Sequence, residues 1–281
     1  MSLVFYAVDS SPVHLFLAQQ SLRSLRTQNK TVAVRFYTTR ALGPKHLRFW
    51  RENKVDVIVL PKDKSQLPLP PTFLKWRALE QVKAPKALYV DADTWFSKDP
   101  LQFLDAYNRK HFYAREEYGT HPKRGMQLLG NQVLMPQIHR GKLRAFAKIF
   151  GGKPATVFNT GVMIFNHGFG SEIGARYSEI EEIYRFVRQK PAFYPGENWH
   201  IADEIFLSIL LGTRPSNQIG RISKEHSPWY NEWKAGVVRS PGYVMHAWTQ
   251  YAPFFLKDLA GLRRARALPI QIPAESRYRE Y

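Results

Sequence analysis

Short apolar runs of strand length alternate with helical periodicities through the first third of the chain. Leu3 to Val8 is an apolar run closed by Asp9-Ser10-Ser11-Pro12, and His14 to Arg26 then places Leu15, Ala18, Leu22 and Leu25 on one helical face. Val32 to Tyr37 reads as a second strand, Lys45 to Asn53 as a helix, and Val55 to Leu60 as a third strand closed by Pro61. A Pro-rich loop at 67–71 precedes a helix from Thr72 to Val82, and Ala87 to Val90 is a fourth strand. Serial βα units build a parallel sheet with right-handed crossovers, and ligands meet such sheets at the carboxyl ends of the strands. The expectation is an α/β fold with a mostly parallel sheet flanked by helices.

The second half is less regular. Residues 114–154 are rich in basic residues and glycine, with a helix expected from His139 to Phe150. Val157 to Asn166 returns to strand character, Glu172 to Gln189 is an amphipathic helix, and Ile201 to Leu211 is an apolar one. Without an internal repeat or low-complexity linker, we expect one domain over 1–256, including a basic excursion at 115–154, and a basic, aromatic tail at 257–281.

Lys and Arg number 41 against 23 Asp and Glu, a formal charge of +18, but 44% hydrophobic and 14% aromatic content exclude a disordered polycation. The absence of cysteine excludes disulfide frameworks, thiolate metal sites and cysteine nucleophiles, and fits a reducing compartment. No apolar run approaches the roughly 20 residues of a spanning helix. The start, Met1 to Asp9, lacks a basic leader and a small-residue cleavage site. These features predict a cytoplasmic protein with an anionic partner: nucleic acid, an anionic membrane surface, or phosphorylated small molecules.

Four segments could carry chemistry. In Tyr89-Val90-Asp91-Ala92-Asp93, a strand delivers two carboxylates at spacing i and i+2 to the carboxyl edge of the sheet, where extended chain points them the same way. Two hard oxygen ligands suit Mn²⁺ or Mg²⁺, and without a cation they would repel; a solvated turn is the plainer reading. Phe158-Asn159-Thr160-Gly161-Val162-Met163 opens a strand with polar residues and a glycine, either for close approach to a ligand or as a turn. Asp203-Glu204 precede an apolar helical stretch, where acids also serve as helix-dipole partners. His246 ends the apolar run Val244-Met245-His246, as a ligand or as a core histidine. Trp199, Trp229, Trp233 and Trp248, with Tyr230 and Tyr251, are open to sugar stacking or to core filling.

In this order and context the segments resemble the GT-A glycosyltransferases, most closely family 8, which includes glycogenin and the lipopolysaccharide galactosyl- and glucosyltransferases. The likeness extends over residues 3–254. Besides the four segments it takes in Phe5 to Leu22, like the family's strand, nucleoside loop and helix, and Thr72 to Leu79, like a helix that brings a lysine to the sugar and phosphate. The resemblance implies a GT-A (Rossmann-like) nucleotide-sugar-binding fold and a metal-dependent, retaining glycosyltransferase. Asp91, Asp93 and His246 are its implied ligands for Mn²⁺ or Mg²⁺. Ala7, Val8 and Asp9 are implied to meet the base, Lys75 the phosphate or sugar, Asp91 also the ribose, and Asn159, Thr160 and Gly161 the donor sugar. Asp203 would meet the sugar hydroxyls, and Glu204 would lie under the anomeric carbon.

There are departures from the pattern. The segment His246 to Phe254 lacks the family's glycine and diphosphate lysine, a role for which Lys257 or Lys75 is available. Ser11 stands where an aromatic residue commonly stacks on uracil, although a UDP-sugar remains the implied donor. Glu204 replaces the family's glutamine, and a carboxylate can act as a covalent nucleophile where an amide cannot. For the acceptor, the excursion and a tail containing Leu262-Arg263-Arg264-Ala265-Arg266 favour a glycolipid or lipopolysaccharide at an anionic membrane, with peripheral attachment to the inner membrane surface. A modified DNA base is the alternative acceptor, and a non-catalytic nucleotide-sugar-binding protein the alternative class.

Overall fold

The computed structural model describes residues 2–61, 73–116, 158–179, 181–182, 207, 210–212 and 214–247. The helix expected at 139–150, most of the 115–154 excursion and the 257–281 tail lie outside the described residues.

Four parallel strands, β1 (Ser2–Ala7), β2 (Ala33–Thr38), β3 (Val55–Val59) and β4 (Lys86–Val90), lie side by side in the order β3-β2-β1-β4. They are joined through α1 (Pro12–Gln28), α2 (Pro44–Glu52) and α3 (Leu74–Leu79). Local chemistry sets the helix starts. Ser11 Oγ accepts from the His14 N–H at 3.3 Å, and Pro12 and Pro44 occupy first-turn positions where a missing N–H costs nothing. Arg26 then binds the chain after each helix, donating to Val32 O at 2.8 Å and Asn53 O at 2.9 Å.

Beyond β4 the sheet changes direction. β7 (Phe158–Phe165) runs antiparallel to β4, β6 (Phe112–Glu116) antiparallel to β7, and β8 (Ile219–Arg221) parallel to β6. The seven-stranded order is β3-β2-β1-β4-β7-β6-β8. Every residue of β7 is buried, which accounts for its unbroken apolar run after the polar opening. A separate antiparallel pair, β5 (Thr94–Phe96) with β9 (Val244–His246), crosses the chain just after β4. The sequence pattern does not predict β5, β8 or β9, because three residues are too few to show a period.

The core has two layers. On one side of the sheet, Leu15, Leu22 and Leu25 of α1, Trp50 of α2, and Phe103 and Leu104 of α4 (Pro100–Ala106) are buried together. On the other, Leu74, Trp76 and Leu79 of α3 meet Phe169 and Ile173 of α5 (Phe169–Ala175). The helix expected at 172–189 therefore begins three residues early, behind Gly168 at φ 75°, and its first run closes at Arg176.

α3 and α5 touch through Gly174, where a Cβ would lie 2.4 Å from both Glu80 N and Leu79 C. Gly174→Ala should lower stability by about 1–3 kcal/mol, because neither backbone can give way. Urea denaturation would measure it, and an unchanged midpoint would show that the two helices have room to separate.

Candidate functional site

The carboxyl end of β4 gathers most of the residues singled out by sequence. Asp91 and Asp93 follow the strand, and β9 pairs with β5 so that Thr94 faces His246. The His246 Nε2 is 3.2 Å from Asp93 Oδ1 and 3.8 Å from Asp91 Oδ2. Asp93 and His246 are buried and Asp91 is partly exposed, so the cluster has an open side. The turn carrying the acids is fastened from below by the hydroxyl chain Tyr6–Ser21–Thr94, at 3.1 and 3.0 Å, with Thr94 Oγ1 donating to Asp91 O at 2.8 Å. Burial of the Tyr6 phenol pushes its pKa up, which keeps it a neutral hydroxyl in this chain.

The two oxygens of Asp91 have different surroundings. The Tyr89 hydroxyl donates to Oδ1, and Lys75 Nζ lies 3.6 Å from the same oxygen, whereas Oδ2 faces His246. Lys75 is itself buried. It donates to Thr160 Oγ1 at 3.0 Å and Thr160 O at 3.3 Å, and it lies 5.2 Å from the centre of the Tyr89 ring. Lys75 therefore sits between Asp91 and the start of β7. Tyr89 was not singled out from sequence, although its i−2 spacing from Asp91 puts the two on one face of an extended strand.

Gly161 is placed by contact with the histidine. Its carbonyl accepts from Asp91 N at 2.8 Å, its N–H donates to Asn159 Oδ1 at 3.0 Å, and a Cβ would lie 2.2 Å from His246 Cε1. The requirement for glycine here is thus steric, imposed by the imidazole.

Ala7, Val8 and Asp9 lie at the end of β1, beside β4. The Val8 N–H is used in the sheet, donating to Tyr37 O at 2.9 Å. Asp9 Oδ1 lies 2.6 Å from His14 Nδ1. Burial alone would raise the Asp9 carboxyl pKa, but the hydrogen bonds from His14 and Ser11 outweigh it and the pKa is lowered. That of His14 is raised, first by the Asp9 hydrogen bond, against desolvation, with help from the charges of Asp9, Asp93 and Asp91. This pair at the mouth of the site was not foreseen from sequence. Asp203, Glu204 and Lys257 lie outside the described residues. Of the aromatic residues open to two readings, Tyr230 is buried beside Leu17 and Met245, whereas Trp229 is half-buried and lies against the Arg115 guanidinium.

The donor set itself tests whether a metal belongs here. One ligand atom from each of Asp91, Asp93 and His246 falls within 4.8 Å of the others, giving two hard carboxylates and one imidazole around a single point. Two acids so close are costly without a cation, and Lys75 Nζ lies 3.6 Å from Asp91 Oδ1. The set fits Mn²⁺ or Mg²⁺.

No family model matches the chain, and no curated protein matches it by sequence. Solved structures do match it by fold. The galactosyltransferase LgtC, solved in complex with donor and acceptor sugar analogues, superposes with a TM-score of 0.60 at 14% identity, over 99% of each chain. The glycosyltransferase GlyE of Streptococcus pneumoniae TIGR4, in its apo form, gives 0.54 at 16% identity over 87% of this chain and 53% of its own, so this chain spans about half of GlyE. Mouse xyloside xylosyltransferase 1 gives 0.53 at 14% identity, over 88% and 97%. The chain thus has the GT-A fold expected from its resemblance to family 8.

Two measurements check this geometry. Gly161→Ala should push the His246 ring out of the cluster and abolish Mn²⁺ uptake by electron paramagnetic resonance; tight Mn²⁺ binding in that variant would contradict the packing. The His14 imidazole should titrate above an ordinary histidine by NMR, and Asp9→Asn should bring it down. Because the folded pKa of His14 is raised and that of Asp9 is lowered, the pair's stabilisation is present while His14 is protonated and Asp9 ionised, and fades as pH rises through the first value or falls through the second. An unchanged His14 titration in the variant would refute the pairing.

Proposed function

We propose that this chain is a metal-dependent glycosyltransferase that moves a sugar from a nucleotide-diphosphate sugar to an anionic acceptor. The observation that carries the reading is the Asp91–Asp93–His246 cluster at the carboxyl edge of the sheet, on a fold shared with solved glycosyltransferases. Asp91, Asp93 and His246 would hold Mn²⁺ or Mg²⁺, which when bound supplies positive charge to a departing diphosphate.

The remaining roles belong to the chain's own side chains. Asp9, paired with His14, and the backbone of Ala7 and Val8 border the place where the nucleoside of a UDP-sugar would lie. Lys75, beside Asp91 and Thr160, would meet the phosphate or sugar. Asn159, Thr160 and Gly161 form the sugar side. Asp203 would hold sugar hydroxyls, and Glu204 would face the anomeric carbon. There Glu204 would act either as a nucleophile in two displacements, which retain configuration, or as a charge stabilising an oxocarbenium-like transition state, which retains it when the acceptor attacks from the face the diphosphate leaves. Lys257 is the reserve cation for the diphosphate.

The acceptor we favour is a glycolipid or lipopolysaccharide at an anionic membrane surface, ahead of a modified DNA base. Peripheral attachment would suffice, and no helix among the described residues is long and apolar enough to cross a membrane. Flotation with anionic vesicles, set against DNA retardation across a salt series, separates the two; binding to duplex DNA alone would replace the membrane acceptor.

The central test is Asp93→Asn. Outer-shell substitutions already cost metal sites 10–100-fold, so loss of a ligand should lower Mn²⁺-dependent donor turnover by about 100-fold or more. Mn²⁺ with the correct nucleotide sugar should raise the melting temperature of the wild type but not of this variant. Full turnover of Asp93→Asn in excess Mn²⁺ would end the metal assignment, and an inverted product anomer would remove the retaining one.

A further inference from the structure

His246, the third member of the cluster, sits on a strand of only three residues. Such a strand cannot hold a side chain in place by itself, so its neighbours must. On one side β9 pairs with β5, and Ala247 N donates to Asp93 O at 2.9 Å. On the other, segment 226–229 runs beside it: His226 O accepts from Tyr243 N at 2.7 Å, and Pro228 O accepts from His246 N at 3.1 Å. Trp229 completes a parallel bridge to His246. The histidine's backbone is therefore positioned by a loop that, among the described residues, is bridged to β9.

A buried ion pair holds that loop. Arg115, in β6, donates through Nη1 to Ser227 O at 3.1 Å and to Glu232 Oε2 at 2.6 Å, and through Nη2 to Glu232 Oε1. Its guanidinium carbon lies 3.8 Å from the centre of the Trp229 ring. Glu232, in the first turn of α6 (Tyr230–Lys234), accepts from the Trp229 N–H at 3.0 Å through Oε2. The pair is almost sealed, with side-chain exposures of 10% and 12%. A planar fork that binds a carboxylate with two nitrogens, reaches a carbonyl and stacks on an indole uses properties that lysine lacks.

We infer that Arg115 and Glu232 are positioning residues for the metal site, setting the place of His246 through Ser227, Pro228 and Trp229. Neither touches the cluster. The inference rests on the metal reading of Asp91, Asp93 and His246, and predicts that loss of the fork weakens metal binding more than it weakens the fold.

The experiment is Mn²⁺ titration of the full chain by electron paramagnetic resonance, with melting temperature measured alongside. Arg115→Lys keeps the charge and removes the fork, and Glu232→Gln keeps an acceptor and removes the charge. Val34→Ala, in the buried core of β2, is the matched control for lost stability. We expect about tenfold weaker Mn²⁺ binding in Arg115→Lys, within the range for outer-shell partners, a smaller loss in Glu232→Gln, and none in Val34→Ala. Should Arg115→Lys not fold, Glu232→Gln carries the test alone. Unchanged Mn²⁺ affinity in the fork variants, or a loss that merely follows melting temperature as in Val34→Ala, would overturn the inference while leaving the metal reading intact. A wild type that takes up no Mn²⁺ would overturn both.

Discussion

Two carboxylates held close together at the end of one strand set the terms for the surrounding structure. Like charges brought to one point repel, so Asp91 and Asp93 call for nearby positive charge or donors. The fold provides them unevenly: Lys75 and the Tyr89 hydroxyl attend the outer oxygen of Asp91, while His246 faces both acids. Burying a lysine is itself costly unless it is well partnered, and Thr160 supplies the partners through its hydroxyl and carbonyl. One electrostatic problem therefore ties α3, β4, β7 and β9 together.

The change of direction at β4 is what makes that tie possible. In a wholly parallel sheet, β4 would end beside the ends of its neighbours. Because β7 runs antiparallel, the exit of β4 lies beside the entrance of β7, with Val90 opposite Val162 and Asp91 N bonded to Gly161 O. The polar opening Asn159-Thr160-Gly161 and the polar closing Asp91-Ala92-Asp93 thus meet at one edge. Gly161 leaves room for the His246 ring, so a glycine on one strand and a histidine on another are complementary shapes.

The parallel half was readable because each βα unit carries its own signals. Ser11 and Pro12 announce α1, and apolar runs of five or six residues announce β1 to β3. Asp91 and Asp93 could be located from their strand alone. His246 could be chosen only through the family resemblance, since its place depends on β5 and β9, each too short for a period. The Arg115–Glu232 pair is invisible in sequence for a different reason: its members are 117 positions apart, and nothing local marks either as buried. The helix that carries Lys75 does not show that its ammonium bonds to Thr160 beside Asp91, contacts set by tertiary packing.

The net charge of +18 is not confined to the excursion and the tail. The excursion and the tail are basic, but from Arg23 to Lys54 nine Lys and Arg stand against the single acid Glu52. Arg23, Lys30, Lys45, Arg48, Arg51 and Lys54 are exposed there, on and after α1 and α2. Arg51 lies roughly 10 Å of helix rise beyond Pro44, which is at the site end of α2. At physiological salt that is about one Debye length, so charges at the far end of the helix contribute little at the cluster. The Asp91–Asp93–His246 cluster has its own positive charge close by, in Lys75 Nζ 3.6 Å from Asp91 Oδ1. The flank can act only on an anion extended enough to reach it, and this separates the protein's net charge from its chemistry.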